Sequence, residues 1–86
     1  MSDDLLEFPC EFPIKMMGRD QPEFREAALA VVERHAGQIA EDAVRMAASS
    51  NGNFLSITVT ITATSREQLD NIYRDLTDDE QILVAL

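Results

Sequence analysis

Few side chains in this sequence are of the types that carry out chemistry. There is one histidine, His35, one cysteine, Cys10, and one lysine, Lys15. A histidine can serve as acid or base near neutral pH. His35, however, falls in the last turn of an apolar-striped helix, where its partial charge also suits the helix dipole, so its position is explained without catalysis. Cys10 has no second thiol to pair with, no histidine close in sequence and no helix N-terminus to lower its pKa, so nothing activates it as a nucleophile. Asp75, Asp78, Asp79 and Glu80 could attract a cation, but they lack the alternating ligands and central glycine of a calcium loop and read as a solvated acidic loop. No catalytic residue, metal site or cofactor is assigned. What remains is chemistry of contact. Lys15 projects from the middle of a sheet face and could anchor an anion, and Thr58, Thr60 and Thr62 give that face hydroxyl groups that could meet a partner.

The elements that must position these groups follow from the hydrophobic pattern. Leu5, Leu6 and Phe8 with Pro9, and then Phe12 with Pro13, read as an extended lead-in over residues 1–12. Proline cannot donate to a sheet ladder, so Pro13 is expected at the first position of a strand covering Ile14 to Met17, ended by Gly18. Asp20, with Pro22 and Glu23 behind it, has the form of a capping box and predicts a helix from about Gln21 to Ala36, stopped by Gly37. Phe24, Ala27, Ala28, Val31, Val32 and His35 form its apolar arc. The stretch Ile39 to Ala48 suits a helix by propensity and a strand by alternation. The alternating run Phe54 to Ala63 is unambiguous: Leu55, Ile57, Val59 and Ile61 share one face, and Ser56, Thr58, Thr60 and Thr62 the other. Such a strand needs neighbours, which favours residues 43 to 48 as a strand returning through the turn Ser49 to Asn53. Ser65 with Gln68 opens a second helix striped by Leu69, Ile72, Tyr73 and Leu76 and ending near Thr77. The apolar run Ile82 to Leu86 is short enough for a final strand.

Composition bounds the function. A chain of 86 residues with 45% hydrophobic and 27% charged residues has the balance of one globular domain, placed here at residues 13–86. A net charge of −9 repels phosphate backbones and anionic membrane surfaces, so neither nucleic acid nor membrane is expected as a partner. The sheet face also lacks the row of aromatic side chains on which RNA bases stack. With no apolar run near the roughly 20 residues that span a bilayer, a cytoplasmic protein is expected.

The segments Leu5-Leu6-Glu7-Phe8-Pro9, Lys15 with Met17-Gly18, Ser49-Ser50-Asn51-Gly52-Asn53-Phe54, and Ile61-Thr62-Ala63-Thr64 before Gln68 and Ile72-Tyr73 together resemble the YbeD-like family of small bacterial proteins. The resemblance implies an α+β fold, a two-layer ferredoxin-like βαββαβ sandwich with antiparallel strand order 4-1-3-2 and two helices on one face, similar to ACT-type regulatory domains. It also settles residues 43 to 48 as a strand. It supplies no catalytic residues. By the same likeness Gly18, Arg19 and Asp20 stand where ACT domains hold a ligand loop, although Glu23 occupies the place of the glycine that lets an amino acid approach.

These readings converge on a non-enzymatic regulatory or adaptor module that works through a protein partner, a second copy or a small effector. A small dimeric enzyme using Lys15 or His35 is the alternative. Contact residues are expected at Lys15, Gly18, Arg19, Asp20, Thr58 and Thr60, and along the final strand at Ile82, Val84 and Leu86, where an all-apolar edge without lysine or proline invites association.

Overall fold

In the computed structural model, which describes residues 6–86, the chain forms β1 (Cys10–Arg19), α1 (Pro22–Ala36), β2 (Val44–Ala48), β3 (Phe54–Ala63), α2 (Arg66–Asp78) and β4 (Val84–Ala85). A 3-10 turn over Glu41–Ala43 leads into β2. The strands make one antiparallel sheet in the order β2-β3-β1-β4. The helices pack together on one of its faces, giving the ferredoxin-like βαββαβ sandwich expected from the sequence. Among the described residues no helix is long and apolar enough to cross a membrane.

The core lies between the sheet and the helices. Ile14 and Met16 from β1 meet Leu55, Ile57, Val59, Ile61 and Ala63 from β3, and Phe24, Ala28, Val31 and Val32 of α1 close over them with Leu69, Ile72 and Leu76 of α2. Among the described residues no polar or charged residue is buried. The alternation of β3 appears as foreseen, its odd-numbered residues inward from Leu55 to Ala63. Residues 44–48 pair with Val59 to Leu55, so alternation prevails over helical propensity there. At Ser65 the hydroxyl accepts from Gln68 N–H at 3.0 Å, as the cap required, while the Gln68 side chain returns to Thr64 N–H at 2.8 Å.

Several expectations are corrected. The first strand is not four residues but ten: Pro13 lies inside it, opposite Thr60, and residues 10–12, read as lead-in, belong to the sheet. Residues 1–5 of that lead-in lie outside the described residues. Proline is tolerated because of which way its nitrogen faces. Lys15 exchanges both of its backbone bonds with Leu86 (3.2 and 2.8 Å), and Pro13, two residues away, faces the same side. The ladder to β4 does not reach it, so no bond is lost.

The second correction is Gly18, which does not end the strand but is buried within it. A Cβ there would run into the Phe24 ring, whose Cε1 lies 2.7 Å from its ideal position, and into the Gln81 carbonyl at 2.6 Å. Glycine is needed for space and not for a turn. Asp20, in turn, caps nothing: Gln21 is the N-cap, its side chain making no capping bond, and the Asp20 carboxylate pairs with Arg25 at 3.1 Å.

The third concerns the final strand, whose ladder covers only Val84–Ala85 and whose expected first residue, Ile82, is a core residue with 7% exposure. The run is apolar throughout because its first residue serves the interior and the rest pass along an edge.

Gly18→Ala is expected to destabilise the protein by about 1–3 kcal/mol in urea unfolding, by overpacking. Combined with Phe24→Leu, the loss should be smaller than the sum of the two single changes; strict additivity would mean that the ring does not fill the site. By the same measurement Ile57→Ala should cost roughly 2–4 kcal/mol and Thr60→Ala within about 0.5 kcal/mol, because only one side of the sheet is covered.

Candidate functional site

The uncovered face of the sheet is built by the outward residues of four strands, and the registers place them in rows. Lys15 stands opposite Thr58, and Thr58 opposite Arg45. Leu86 completes that row beside Lys15 through their shared backbone bonds. The next row is Val84, Met17, Ser56 and Ala47. Beyond it Arg19 stands opposite Phe54, its guanidinium 5.9 Å from the ring centroid. Strands lie about 4.8 Å apart, so the backbones of Lys15 and Arg45 are separated by about 10 Å across Thr58.

The charge on this face opposes the charge of the chain. Among the described residues Arg25 is paired with Asp20, Arg34 with Asp75 and Arg66 with Asp70, all away from the open face. Lys15, Arg19 and Arg45 have no carboxylate partner among the described residues, and all three point outward from the strands of that face. Glu11 is the one acidic residue at an outward strand position there. Beside the cations are exposed apolar groups, Met17 (37%), Val84 (43%) and Leu86 (68%), and a shallow dent of about 190 Å³ between Met17, Ala47, Phe54 and Ser56. The surface is shallow, cationic, hydroxyl-bearing and partly apolar, which suits binding by contact.

Of the residues singled out from sequence, Lys15, Arg19, Thr58, Thr60, Val84 and Leu86 come together on this face. Ile82 does not, being buried. Gly18 faces the core under Phe24, where no ligand can approach. Asp20 turns away to Arg25. The connection between β1 and α1, compared above with a ligand loop, is braced by bonds to its neighbours, with Asp20 N–H donating to Asn53 O at 3.1 Å and the Gln21 side-chain amide to Gln81 Oε1 at 3.2 Å, beside a dent of about 210 Å³ lined by Arg19, Gln21, Glu80, Gln81 and Leu83. Arg45 escaped the sequence reading. The signal for it was the hairpin, since a return through residues 50–53 fixes Arg45 opposite Thr58.

A family model described as "Protein of unknown function (DUF493)" matches residues 3–86. The chain belongs to the DUF493 family. This is the YbeD-like family to which the sequence motifs pointed. A UPF0250 protein of Chromobacterium violaceum is 48% identical over 100% of both chains. One from Paraburkholderia phytofirmans is 46% identical over 100% of this chain and 97% of its own, and one from Neisseria gonorrhoeae 45% over 95% and 90%. In fold, this DUF493 chain is similar to the solution structure of protein HP0495 from H. pylori, with a TM-score of 0.65 at 15% identity, over 94% of this chain and 85% of that one.

On the other side of the DUF493 sheet lies the second notable group, His35. It does not stand alone: its Nε2 is 2.6 Å from Asp75 Oδ2, the same oxygen that accepts from Arg34 at 3.1 Å. A carboxylate can only accept, so Nε2 carries the proton. Gln68 adds a bond from its side-chain amide to His35 O at 3.0 Å. Asp75, read as part of an acidic loop, is in fact a helical residue that clamps α2 to the last turn of α1. The sheet separates His35 from Lys15, so the two cannot share a site. Among the described residues no group of three or more His, Cys, Asp or Glu side chains could hold a metal ion.

The hydrogen bond from His35, aided by Arg34, holds the Asp75 carboxyl below the usual carboxylate range. A carboxylate depressed in the folded state stabilises above its unfolded pKa, and the contribution is lost as pH falls through the folded value. Asp75→Asn should therefore melt below the native protein at neutral pH, and the two should converge as pH drops below about 4. Thermal melts followed by circular dichroism across that range check this; a gap that does not narrow in acid would show that the clamp does not depend on the ionised carboxylate.

Proposed function

We propose that this DUF493 chain is a non-enzymatic adaptor or regulatory module that works by protein contact through the open face of its sheet. The observation that carries this reading is the segregation of charge. In a chain of net charge −9, three cations without carboxylate partners among the described residues share one face, interleaved with hydroxyls and exposed apolar side chains. Such a face complements a partner surface carrying carboxylates around an apolar centre, and its charges steer and orient the encounter more than they add raw affinity. Flatness favours a protein over a small effector, because small-molecule pockets are concave and mostly about 300–1,000 Å³. The dent on this face, at about 190 Å³, is smaller than that. An enzymatic reading has no support in the geometry of Lys15, which lacks a neighbouring base, or of His35, which is engaged by Asp75.

Charge reversal tests the proposal. A partner captured on the native chain and then purified should bind the Lys15→Glu/Arg45→Glu double variant at least about tenfold more weakly, with the fold intact by circular dichroism and with a salt dependence that the variant loses. Unchanged affinity would remove the open face from the contact. Turnover of any metabolite that disappears in Lys15→Ala or His35→Ala, with folding preserved, would replace the adaptor by an enzyme.

A further inference from the structure

A second surface lies at the outer edge of β2. Ser49 N–H donates to Phe54 O at 2.8 Å, which makes these two a hydrogen-bonded pair. Backbone groups alternate along a strand, so Ala47 and Arg45 also bond toward β3, while Val44, Met46 and Ala48 face away from the sheet. Val44 N–H closes the 3-10 turn onto Glu41 O. The N–H groups of Met46 and Ala48 and the carbonyls of all three residues have no partner among the described residues. The strand VRMAA contains neither lysine nor proline, the usual blocks to edge pairing.

The side chains beside this edge form a receptacle. Val44 and Met46 stand opposite the core residues Val59 and Ile57, so they lie on the helix side of the sheet. Val44 is half-buried against the core, whereas Met46 remains 47% exposed. Between β2 and α1 runs an apolar groove of about 480 Å³ lined by Leu29, Ile39, Val44 and Met46 and rimmed by Glu33 and Glu41. Neither rim carboxylate has a cationic partner among the described residues.

We propose that this edge accepts an extended segment of another protein as a fifth strand. Its alternate apolar side chains enter the groove and a basic residue on the same side meets Glu33 and Glu41. The intervening side chains, on the open face, are acidic and lie beside Arg45. Backbone bonds hold such a strand and its period of two reads the groove, which is the physics of β-strand addition. Charge decides against a second copy as occupant. On the helix side its β2 would offer only Val44, Met46 and Ala48, leaving the rim acids of both copies unmatched, since Arg45 points to the opposite face.

The test uses the full chain, isotope-labelled, and a capped synthetic peptide Lys-Glu-Val-Glu-Val-Glu-Lys, with the charge-exchanged Glu-Lys-Val-Lys-Val-Lys-Glu as control. The first peptide should shift the Met46 and Ala48 amide resonances and slow their hydrogen exchange, and the control should bind more weakly. Ala48→Pro removes one outward N–H without touching the ladder, and should weaken binding roughly fivefold, the effect of one hydrogen bond. Met46→Asp, which places a charge in the groove, should weaken it by at least as much and stands in if the proline variant does not fold. Lys15→Glu should weaken peptide binding far less than Met46→Asp does, which separates this edge from the open-face contact proposed above. The proposal is overturned by equal binding of the two peptides, by resonance shifts elsewhere, by indifference to both β2 variants, or by a native dimer that Met46→Asp dissociates.

Discussion

Ten consecutive pairings between β1 and β3, from Cys10 opposite Ala63 to Arg19 opposite Phe54, constrain nearly everything else in this molecule. Side chains alternate with a period of two, so a slip of one residue would bring Lys15 and Met17 into the core and turn Ile14 and Met16 out to water. The same register sets Gly18 where the Phe24 ring must lie, and that contact fixes how α1 begins over the sheet. It also decides that Lys15, Thr58 and Arg45 form a row. The surface chemistry is thus a by-product of the packing on the opposite face: each inward apolar residue dictates an outward neighbour.

How much of this could be read from the sequence depended on whether the signal was local. The alternation of Phe54 to Ala63 is a local pattern, and β3 was legible in full. The two strands flanking it in the sheet were partly legible. Residues 44–48 carried two compatible periods, and only pairing with β3 decides between them. Pro13 looked like a boundary, because the harm a proline does to a ladder depends on whether its nitrogen faces a neighbour; that is a property of β4, distant in sequence. Gly18 read as a terminator for the same reason, since the ring that excludes a Cβ there belongs to α1. Hydrophobicity alone places Ile82 on an associative edge, because it does not separate a core residue from an edge residue in a short run. The contact surface followed this pattern too. Lys15 and the threonines were visible as outward residues of strands, whereas Arg45 acquires meaning only from the hairpin that brings it beside Thr58.

Charge organisation in this chain is one of separation. The acidic residues of the helices, such as Glu23, Glu26, Glu33, Glu67 and Asp70, face solvent on one side of the sheet, and the three cations without carboxylate partners among the described residues face it on the other. Because an excess of one sign repels itself, a domain of this size would be expected to disperse its few cations among its acids. Four basic residues do bond within the helical layer: Arg25, Arg34 and Arg66 to carboxylates, Arg74 to Asn71. The remaining three are held apart by the sheet, which gives the domain two faces of opposite character.

The brevity of β4 has a further consequence. Its attachment consists of a two-residue ladder, the Leu83 and Leu86 bonds to β1 and the hydrogen bond from the Tyr73 hydroxyl to Leu86 O at 2.8 Å. Tyr73 belongs to α2, so β4 is tied to a helix as well as to the sheet. Local opening free energies fall where bonds are few and exposed, so this segment opens more readily than the β1 and β3 pair. Each such opening frees the outer backbone groups of Lys15 and Met17 and withdraws Val84 and Leu86 from the cationic face. Anything that binds that face in its closed form must then also order the C-terminal residues, and amide protection at Lys15 becomes a gauge of occupancy at a distance from the contact itself.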